Sequence, residues 1–508
     1  MSNLTEAAAR QEADLLPHDT DGVLFMYIDG RFVPATAGRT RTLINPATGE
    51  AIVRVAEGGP EDAERAIDAA RRAFDDGLWA DSPARERALL LLRLADALEA
   101  NADTFVRLET LNNGKPLREA RLDVEDAVHC FRYYAGLALQ PQGQVLTVPG
   151  PTETYTRRDP VGVCAQIVPW NFPLLTAAWK LAPALAAGNT CVLKPSELTP
   201  LTALRLAQLM DEVGFPQGVV NIVLGTGQAV GQVLAESARV DMVAFTGGTA
   251  TGRKVMQAAS GNLKKLALEL GGKSANIVFA DADLEVAVDH ALLGIFFGSG
   301  QVCAAGSRLL VEASIYDRFV DELVRRARRI RVGDGFDAET EMGPLISPQH
   351  LERVVGYVEA GRREGATLAC GGNRPSHLQR GNFLNPTVFL DVRPDMRIVQ
   401  EEIFGPVLVV ERFAGEEEAV RMANDSVYGL AAGVFTGDVA KAHRVVRRLR
   451  AGITWVNTYH PAYVEAPWGG YKQSGIGREL GIHGLEEYTE VKQVSIQLHP
   501  EPSGFYRG

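Results

Sequence analysis

The sequence predicts an α/β protein built from two parallel-sheet units in tandem, and three observations carry that prediction. Between residues 161 and 270 short apolar runs alternate with helical patterns, as βαβ units require. A second series of the same kind runs from 275 to 456. The chain has 508 residues, 46% hydrophobic and 23% charged, which is too long for one small module and close to the globular average. Taken in order, Met1–Thr20 carries Glu6, Glu12 and Asp14 with no long apolar run. It is not a signal peptide and is expected to be a poorly ordered extension. Pro60 followed by Ala63, Ala66, Ile67, Ala70 and Phe74 predicts an amphipathic helix with proline in its first turn.

In the first series, strands are predicted at Val161–Val168, Thr190–Leu193, Val219–Leu224 and Met242–Phe245, with helices at Leu201–Val213 and Gln228–Ser237. In the second, a strand at Ala275–Phe279 precedes helices at Ile315–Arg331 and Leu351–Glu364. Strands follow near Pro406–Val410, Ala432–Phe435 and Ile453–Val456. No repeat or Gly/Ser-rich linker separates the two series, so a shared packed interface is expected.

Composition excludes several functions. The net charge of −11 argues against nucleic acid, which needs clustered positive charge. The run Arg325, Arg326, Arg328 and Arg329 shares its pattern with Phe319, Leu323 and Ile330 and reads as a solvated helix face. Five cysteines, at 130, 164, 191, 303 and 370, lack paired spacing, which suits a reducing compartment and a cytoplasmic location. The stretch Val161–Trp179, without acidic or basic side chains, contains Pro169, Asn171 and Pro173, so a loop between elements is expected there rather than a membrane span.

Several short motifs could carry chemistry. Gly225-Thr226-Gly227 with Gly231 approximates a dinucleotide fingerprint with one residue too many, and read alone it is equally a turn. Phe245-Thr246-Gly247-Gly248-Thr249 lies between a strand and a helix, where free N–H groups attract phosphate. Lys194-Pro195-Ser196-Glu197 could present a cation and a carboxylate to ribose hydroxyls at a sheet edge. Cys303, with small neighbours from Gly298 to Gly306, is a candidate nucleophile. Glu269, an acid inside the apolar run Leu268–Leu270, is a candidate base, or else half of a structural ion pair.

Taken together these residues resemble the aldehyde dehydrogenase family from about Tyr27 to Ile496. The motifs that match are Pro169-Trp170-Asn171-Phe172-Pro173, Lys194–Glu197, Phe245–Gly248, Glu269–Lys273, Gly300–Cys303 and Glu401–Pro406. The segment Ala466–Gly481 is similar to bacterial betaine aldehyde dehydrogenases. Two departures stand out: Phe297, where plant members tend to carry tryptophan, and Phe172, where many relatives have tyrosine.

The resemblance implies a Rossmann-type dinucleotide-binding domain at 21–146 and 161–271 and an α/β catalytic domain at 272–465. A small β oligomerisation extension would combine 147–160 with 484–500, following the extension at 1–20. Its strands near Thr147–Pro160 and Val491–Leu498 would pair with a neighbouring subunit in a dimer or tetramer. The implied reaction oxidises an aldehyde to a carboxylic acid with NAD, through a cysteine thiohemiacetal and a thioester. Betaine aldehyde giving glycine betaine is the expected substrate, with an aminoaldehyde or a plain aliphatic aldehyde as the rival. A catalytically silent NAD-binding or structural protein would be the alternative from another class.

The resemblance makes Cys303 the nucleophile, Glu269 the base that activates water and Asn171 an oxyanion donor, worth about 3–4 kcal/mol in comparable sites. Lys180 and Glu479 would be a supporting polar pair. Cofactor contacts would come from Pro169, Trp170, Asn171, Lys194, Ser196, Glu197, Gly227, Gly231, Phe245, Gly247, Gly248, Thr249, Glu402 and Phe404. Phe172, Trp179, Phe297 and Trp468, joined by Tyr463 and Glu465, could cage a trimethylammonium head. Lys472 and Gly475 could lend carbonyls to a monovalent cation such as potassium.

Overall fold

The computed structural model describes residues 5–140 and 143–506. Its centre is an eight-stranded sheet. From one edge the order is Gly475–Ile476, Lys265–Glu269, Met242–Thr246, Val163–Ile167, Thr190–Lys194, Val220–Ile222, Met26–Ile28 and Arg31–Val33. The five strands from Lys265–Glu269 to Val220–Ile222 run parallel, and antiparallel strands close both edges. Val163–Ile167 and Thr190–Lys194 are buried along their whole length, because helices cover both faces of a parallel sheet. Register brings Ile167 level with Phe245 and Lys194, and Phe245 level with Leu268. The predicted nucleotide-side motifs therefore share one carboxyl edge, where open α/β sheets bind ligands.

The second series forms a seven-stranded sheet in the order Thr367–Cys370, Thr387–Leu390, Val407–Phe413, Arg308–Glu312, Ala275–Val278, Ala431–Phe435 and Ile453–Val456. Only Thr367–Cys370 is antiparallel to its neighbour. Thr152–Pro160 pairs along nine residues with Thr489–Gln497 and with the short strand Val145–Leu146, giving a small antiparallel sheet. A further three-stranded sheet joins Val23–Leu24, Ala51–Ala56 and Thr40–Ile44.

The helix after Pro60 spans Pro60–Asp75 and buries Ala63, Ala66, Ile67 and Ala70, the stripe its spacing predicts. Leu201–Val213 is helical as expected and ends on Gly214, whose φ of +95° favours glycine there. Arg325 pairs with Glu322 and Arg326 with Asp289 beside the buried Phe319 and Leu323, so the arginine run is a charge-paired outer face. Three long helices, Ala84–Ala100, Ala102–Asn113 and Leu117–Ala138, went unpredicted.

Three expectations need correction. The N-terminal segment is not a loose extension within its described part. Thr5 caps a helix at Glu6–Asp14, Ala9, Ala13 and Leu16 are buried, and Glu12 pairs with Arg107 on the helix Ala102–Asn113. Residues 1–4 lie outside the described residues. The helix expected at Gln228–Ser237 opens as a wider π turn at Gly227–Gly231 and is α-helical only over Gln232–Glu236. Val161–Trp179 is mostly regular: a strand, a five-residue loop and the first turns of the helix Pro173–Ala187. Among the described residues no helix is long and apolar enough to cross a membrane.

Candidate active site

Three chain segments meet where the two large sheets adjoin. The first is the loop that leaves the strand Val163–Ile167 and enters the helix Pro173–Ala187, carrying Pro169, Trp170, Asn171 and Phe172. The second is the end of the strand Lys265–Glu269 with the following Gly271 and Gly272. The third is the turn Phe297–Gly300 leading to Cys303, in which Gly298, Ser299 and Gly300 have φ of +58°, +58° and +71°. A Cβ at Gly300 would lie 2.2 Å from the Gly405 carbonyl oxygen, and one at Gly272 would lie 2.6 Å from that of Cys303. Glycine at both places lets the backbones approach closely enough to seat the cysteine.

These segments line one cavity of about 610 Å³, comparable with small-ligand sites. Cys303, Glu269, Asn171 and Glu479 all reach it, with Phe172, Trp179, Phe297 and Trp468 as aromatic wall. Phe172 and Phe297 stack with ring centroids 6.4 Å apart, and Trp179 meets Trp468 at 5.4 Å. The Asn171 amide donates to the Gln301 carbonyl at 2.8 Å, leaving its second N–H available.

Electrostatics follow from burial. Burial, reinforced by the charges of Glu269 and Glu402, pushes the Cys303 thiol up to about 12. Glu269 is 5% exposed, and neither carboxyl oxygen has a hydrogen-bond partner. Its burial, with Glu479 adding negative charge, raises it well above the usual carboxylate range, against the partial relief of Lys180. Lys180 is fully buried and pairs with Glu479, whose backbone is fixed by two hydrogen bonds with Trp468. A pKa displaced by burial on a cavity wall is common where proton transfer is needed.

Other predicted residues divide between the cavity and the sheet edge beyond it. Pro169, Trp170, Gly247, Gly248, Glu402 and Phe404 line the cavity. Glu402 accepts from the Gly272 N–H at 3.0 Å, and burial brings its carboxyl up to about 7. Trp170 packs edge-on to Phe404 at 5.4 Å. Lys194, Ser196, Glu197, Gly227, Gly231, Phe245 and Thr249 lie outside this cavity lining. Lys194 is 2% exposed, and its ammonium donates to the Pro195 carbonyl at 3.0 Å with Glu197 at 3.6 Å. Lys472 opens a 3₁₀ turn and donates to the carbonyls of Asn424 and Ser426, while Gly475 pairs with the strand bearing Glu269.

Tyr463 and Glu465 do not join the aromatic wall. Tyr463 is 64% exposed, Glu465 is exposed too, and neither lines the cavity. The segment Thr458–Ala462 lines it instead. Asp123, Asp126, His290 and His460 also line it and went unpredicted. Burial, with the neighbouring Asp123, raises Asp126 to about 6. Spacing within helices that went unpredicted offered no signal for these acids.

The aldehyde dehydrogenase family model matches residues 32–494. Betaine aldehyde dehydrogenase of Bacillus subtilis (strain 168) is 56% identical over 478 residues, covering 94% of this chain and 98% of that protein. Human mitochondrial aldehyde dehydrogenase is 49% identical over 476 residues, 93% of this chain and 92% of its own. The crystal structure of betaine aldehyde dehydrogenase from Staphylococcus aureus in complex with NAD+ superposes with a TM-score of 0.97 at 48% identity, covering 99% of both chains.

Proposed function

Because the chain belongs to the aldehyde dehydrogenase family, we propose that this NAD-dependent enzyme oxidises betaine aldehyde to glycine betaine at the Cys303 cavity. One observation carries the substrate assignment: the reactive cysteine shares its cavity with four aromatic rings and the carboxylate of Asp126. A quaternary ammonium donates no hydrogen bond and never loses its charge, so ring faces and carboxylates are what can recognise it. Plain aliphatic aldehydes would use the same rings as an apolar wall but gain nothing from the Asp126 carboxylate.

The sheet edge fits NAD. A Cβ at Gly248 would meet nothing within 4 Å, so the start of the helix Thr249–Ala259 is open to a phosphate, and the same holds at Gly227, which opens the turn Gly227–Gly231. Glu197 and the buried Lys194 would take the adenine ribose, with Ser196, Gly231, Phe245 and Thr249 shaping that edge. Glu402 and Phe404 would hold the nicotinamide ribose and ring beside Pro169 and Trp170. When bound, NAD supplies the acceptor for the aldehyde hydride.

Cys303 forms the carbon–sulfur bond as its proton passes to solvent water, and the carbonyl electron pair moves onto oxygen. Glu269, unpartnered on the same cavity and with its proton affinity raised by burial, is the base of the later hydrolytic step. Asn171 offers its spare N–H to the oxyanion, together with the Cys303 backbone N–H. Once the substrate carbon has been oxidised to the thioester, Glu269 takes a proton from water. The resulting hydroxide adds to the acyl carbon, and the carbon–sulfur bond breaks to release the acid. Lys180 and Glu479 keep a paired charge behind Glu269. No step is assigned to a monovalent cation at Lys472 and Gly475, a turn the Lys472 ammonium already ties to the Asn424 and Ser426 carbonyls. The two-stranded pairing of Thr152–Pro160 with Thr489–Gln497 leaves Val491 and Ile496 exposed, which supports assembly into a homo-oligomer.

Cys303→Ser tests the chemistry. Oxidation should vanish while NAD binding stays within about twofold, because a serine hydroxyl without a strong neighbouring base is hardly ionised at neutral pH. Turnover comparable with the parent enzyme would overturn the assignment.

A further inference from the structure

The two loops that carry the reacting groups are held by one buried polar strap that the steps above do not use. It runs from the end of the helix Ala102–Asn113, through Gly114–Pro116, into the helix Leu117–Ala138. Asn113 donates to the Trp170 carbonyl at 2.7 Å, and its own side-chain oxygen accepts from the Lys115 N–H at 3.2 Å. The Lys115 ammonium donates to the Asn171 carbonyl at 2.9 Å and sits 4.6 Å from the Phe172 ring centroid. It pairs with Asp123 and lies 3.5 Å from Glu109. One helical turn on, Glu119 accepts from the Gly298 N–H at 3.2 Å, in the left-handed turn that leads to Cys303.

Glu109, Asn113, Lys115, Glu119 and Asp123 are each at least nine-tenths buried. Well-packed apolar residues in such a place are often at least as stabilising as a buried ion pair, so fold stability alone does not explain the cluster. What it does supply is direction, since an ammonium anchored by two carboxylates fixes the carbonyl it touches. Gly114 makes the path possible. It has φ of +91°, and a Cβ there would lie 2.6 Å from Pro344 and 2.7 Å from Pro46.

The geometry points to Lys115 as a positioning residue for aldehyde oxidation: anchored by Asp123 and Glu109, it sets the Asn171 backbone, while Glu119 sets the Gly298 turn, so one strap fixes the oxyanion amide relative to the nucleophile. This rests on Asn171 being the oxyanion donor. A donor misplaced by a fraction of an ångström loses most of its value in the transition state while still permitting substrate binding.

A double-mutant cycle on the full-length enzyme tests it, read as kcat and KM for betaine aldehyde at saturating NAD. Lys115→Met should lower kcat at least tenfold with KM changed less than threefold, and Lys115→Arg should restore most of the loss. In an Asn171→Ala background the same Lys115→Met change should cost less than twofold, because the amide it positions is gone. An equal loss in both backgrounds, or parent kcat in Lys115→Met, overturns the inference. Asn171→Ala with undiminished kcat overturns instead the reading of Asn171 on which it rests. Should Lys115→Met yield too little folded enzyme, Lys115→Gln is carried through the same cycle with the same criteria.

Discussion

Trp179→Ala separates recognition of charge from simple apolar contact. Trp179 projects from the helix Pro173–Ala187 onto the cavity, its ring 5.4 Å from that of Trp468. An ammonium over one indole face gains about 0.5–2 kcal/mol beyond contact area, which converts to a factor of about two to thirty in specificity constant. Removing the ring takes contact area from every aldehyde but takes the charge interaction only from a cationic one. The measurement is therefore a ratio: kcat/KM for betaine aldehyde over that for propionaldehyde, in parent and variant, at saturating NAD. The ratio should fall by that factor of about two to thirty. Trp179 is the better choice than Trp468, which is 8% exposed, packs on Trp455 at 6.3 Å and exchanges backbone hydrogen bonds of 2.6 and 2.7 Å with Glu479. Truncation at Trp468 would disturb the Lys180–Glu479 pair as well as the wall. An unchanged ratio for Trp179→Ala would refute a cation-recognising cage and leave the rings as an apolar lining.

Glu269→Gln should leave the first hydride transfer measurable but stall hydrolysis, giving a burst of NADH and a thioester on Cys303 detectable by intact-mass measurement; absence of both would give Glu269 another role. Since burial holds the Glu269 carboxyl protonated to higher pH than in the unfolded chain, hydrolysis in the parent should speed up as pH rises toward that displaced pKa, and the variant should lack this limb. By the same linkage, stability is lost as pH rises above the unfolded carboxyl value of about 4.3, so Glu269→Gln should raise the unfolding midpoint more at pH 8 than at pH 5. NAD should be preferred over NADP by at least about fivefold in kcat/KM, because the Glu197 carboxylate would face the 2′-phosphate and like unit charges about 4 Å apart repel by about 1 kcal/mol even in water. Lys194, 3.6 Å from Glu197, softens that bias, and Glu197→Gln should shrink it; equal constants in the parent would refute the assignment.

The nucleotide side of the molecule was legible because parallel strands declare themselves. Thr190–Lys194 and Met242–Thr246 are short apolar runs ended by a charge or a turn, and nothing competes with that pattern. Cys303 and Glu269 stood out for a related reason, each being a reactive type in unusual local company. The helices Ala84–Ala100 and Leu117–Ala138 were hidden because leucines also stand on their exposed faces, Leu89 and Leu92 on the first and Leu122 on the second, so the periodicity is blurred. With them went Lys115, Glu119, Asp123 and Asp126, whose importance is tertiary: Lys115 acquires meaning only when Asn171, 56 positions away, lies against it. The N-terminal helix failed for the opposite reason. Its apolar stripe is merely Ala9 and Ala13, too small to register until the Glu12–Arg107 pair fastens it.

The most direct measurement is NAD reduction across betaine aldehyde, 4-aminobutyraldehyde and propionaldehyde under identical conditions, compared as kcat/KM. The aromatic wall with Asp126 at the Cys303 cavity is expected to place betaine aldehyde first by about tenfold over propionaldehyde, as one desolvated charge contact of about 1.4 kcal/mol would give. Propionaldehyde equal to or better than betaine aldehyde would contradict the proposed substrate and leave a general aldehyde dehydrogenase in its place.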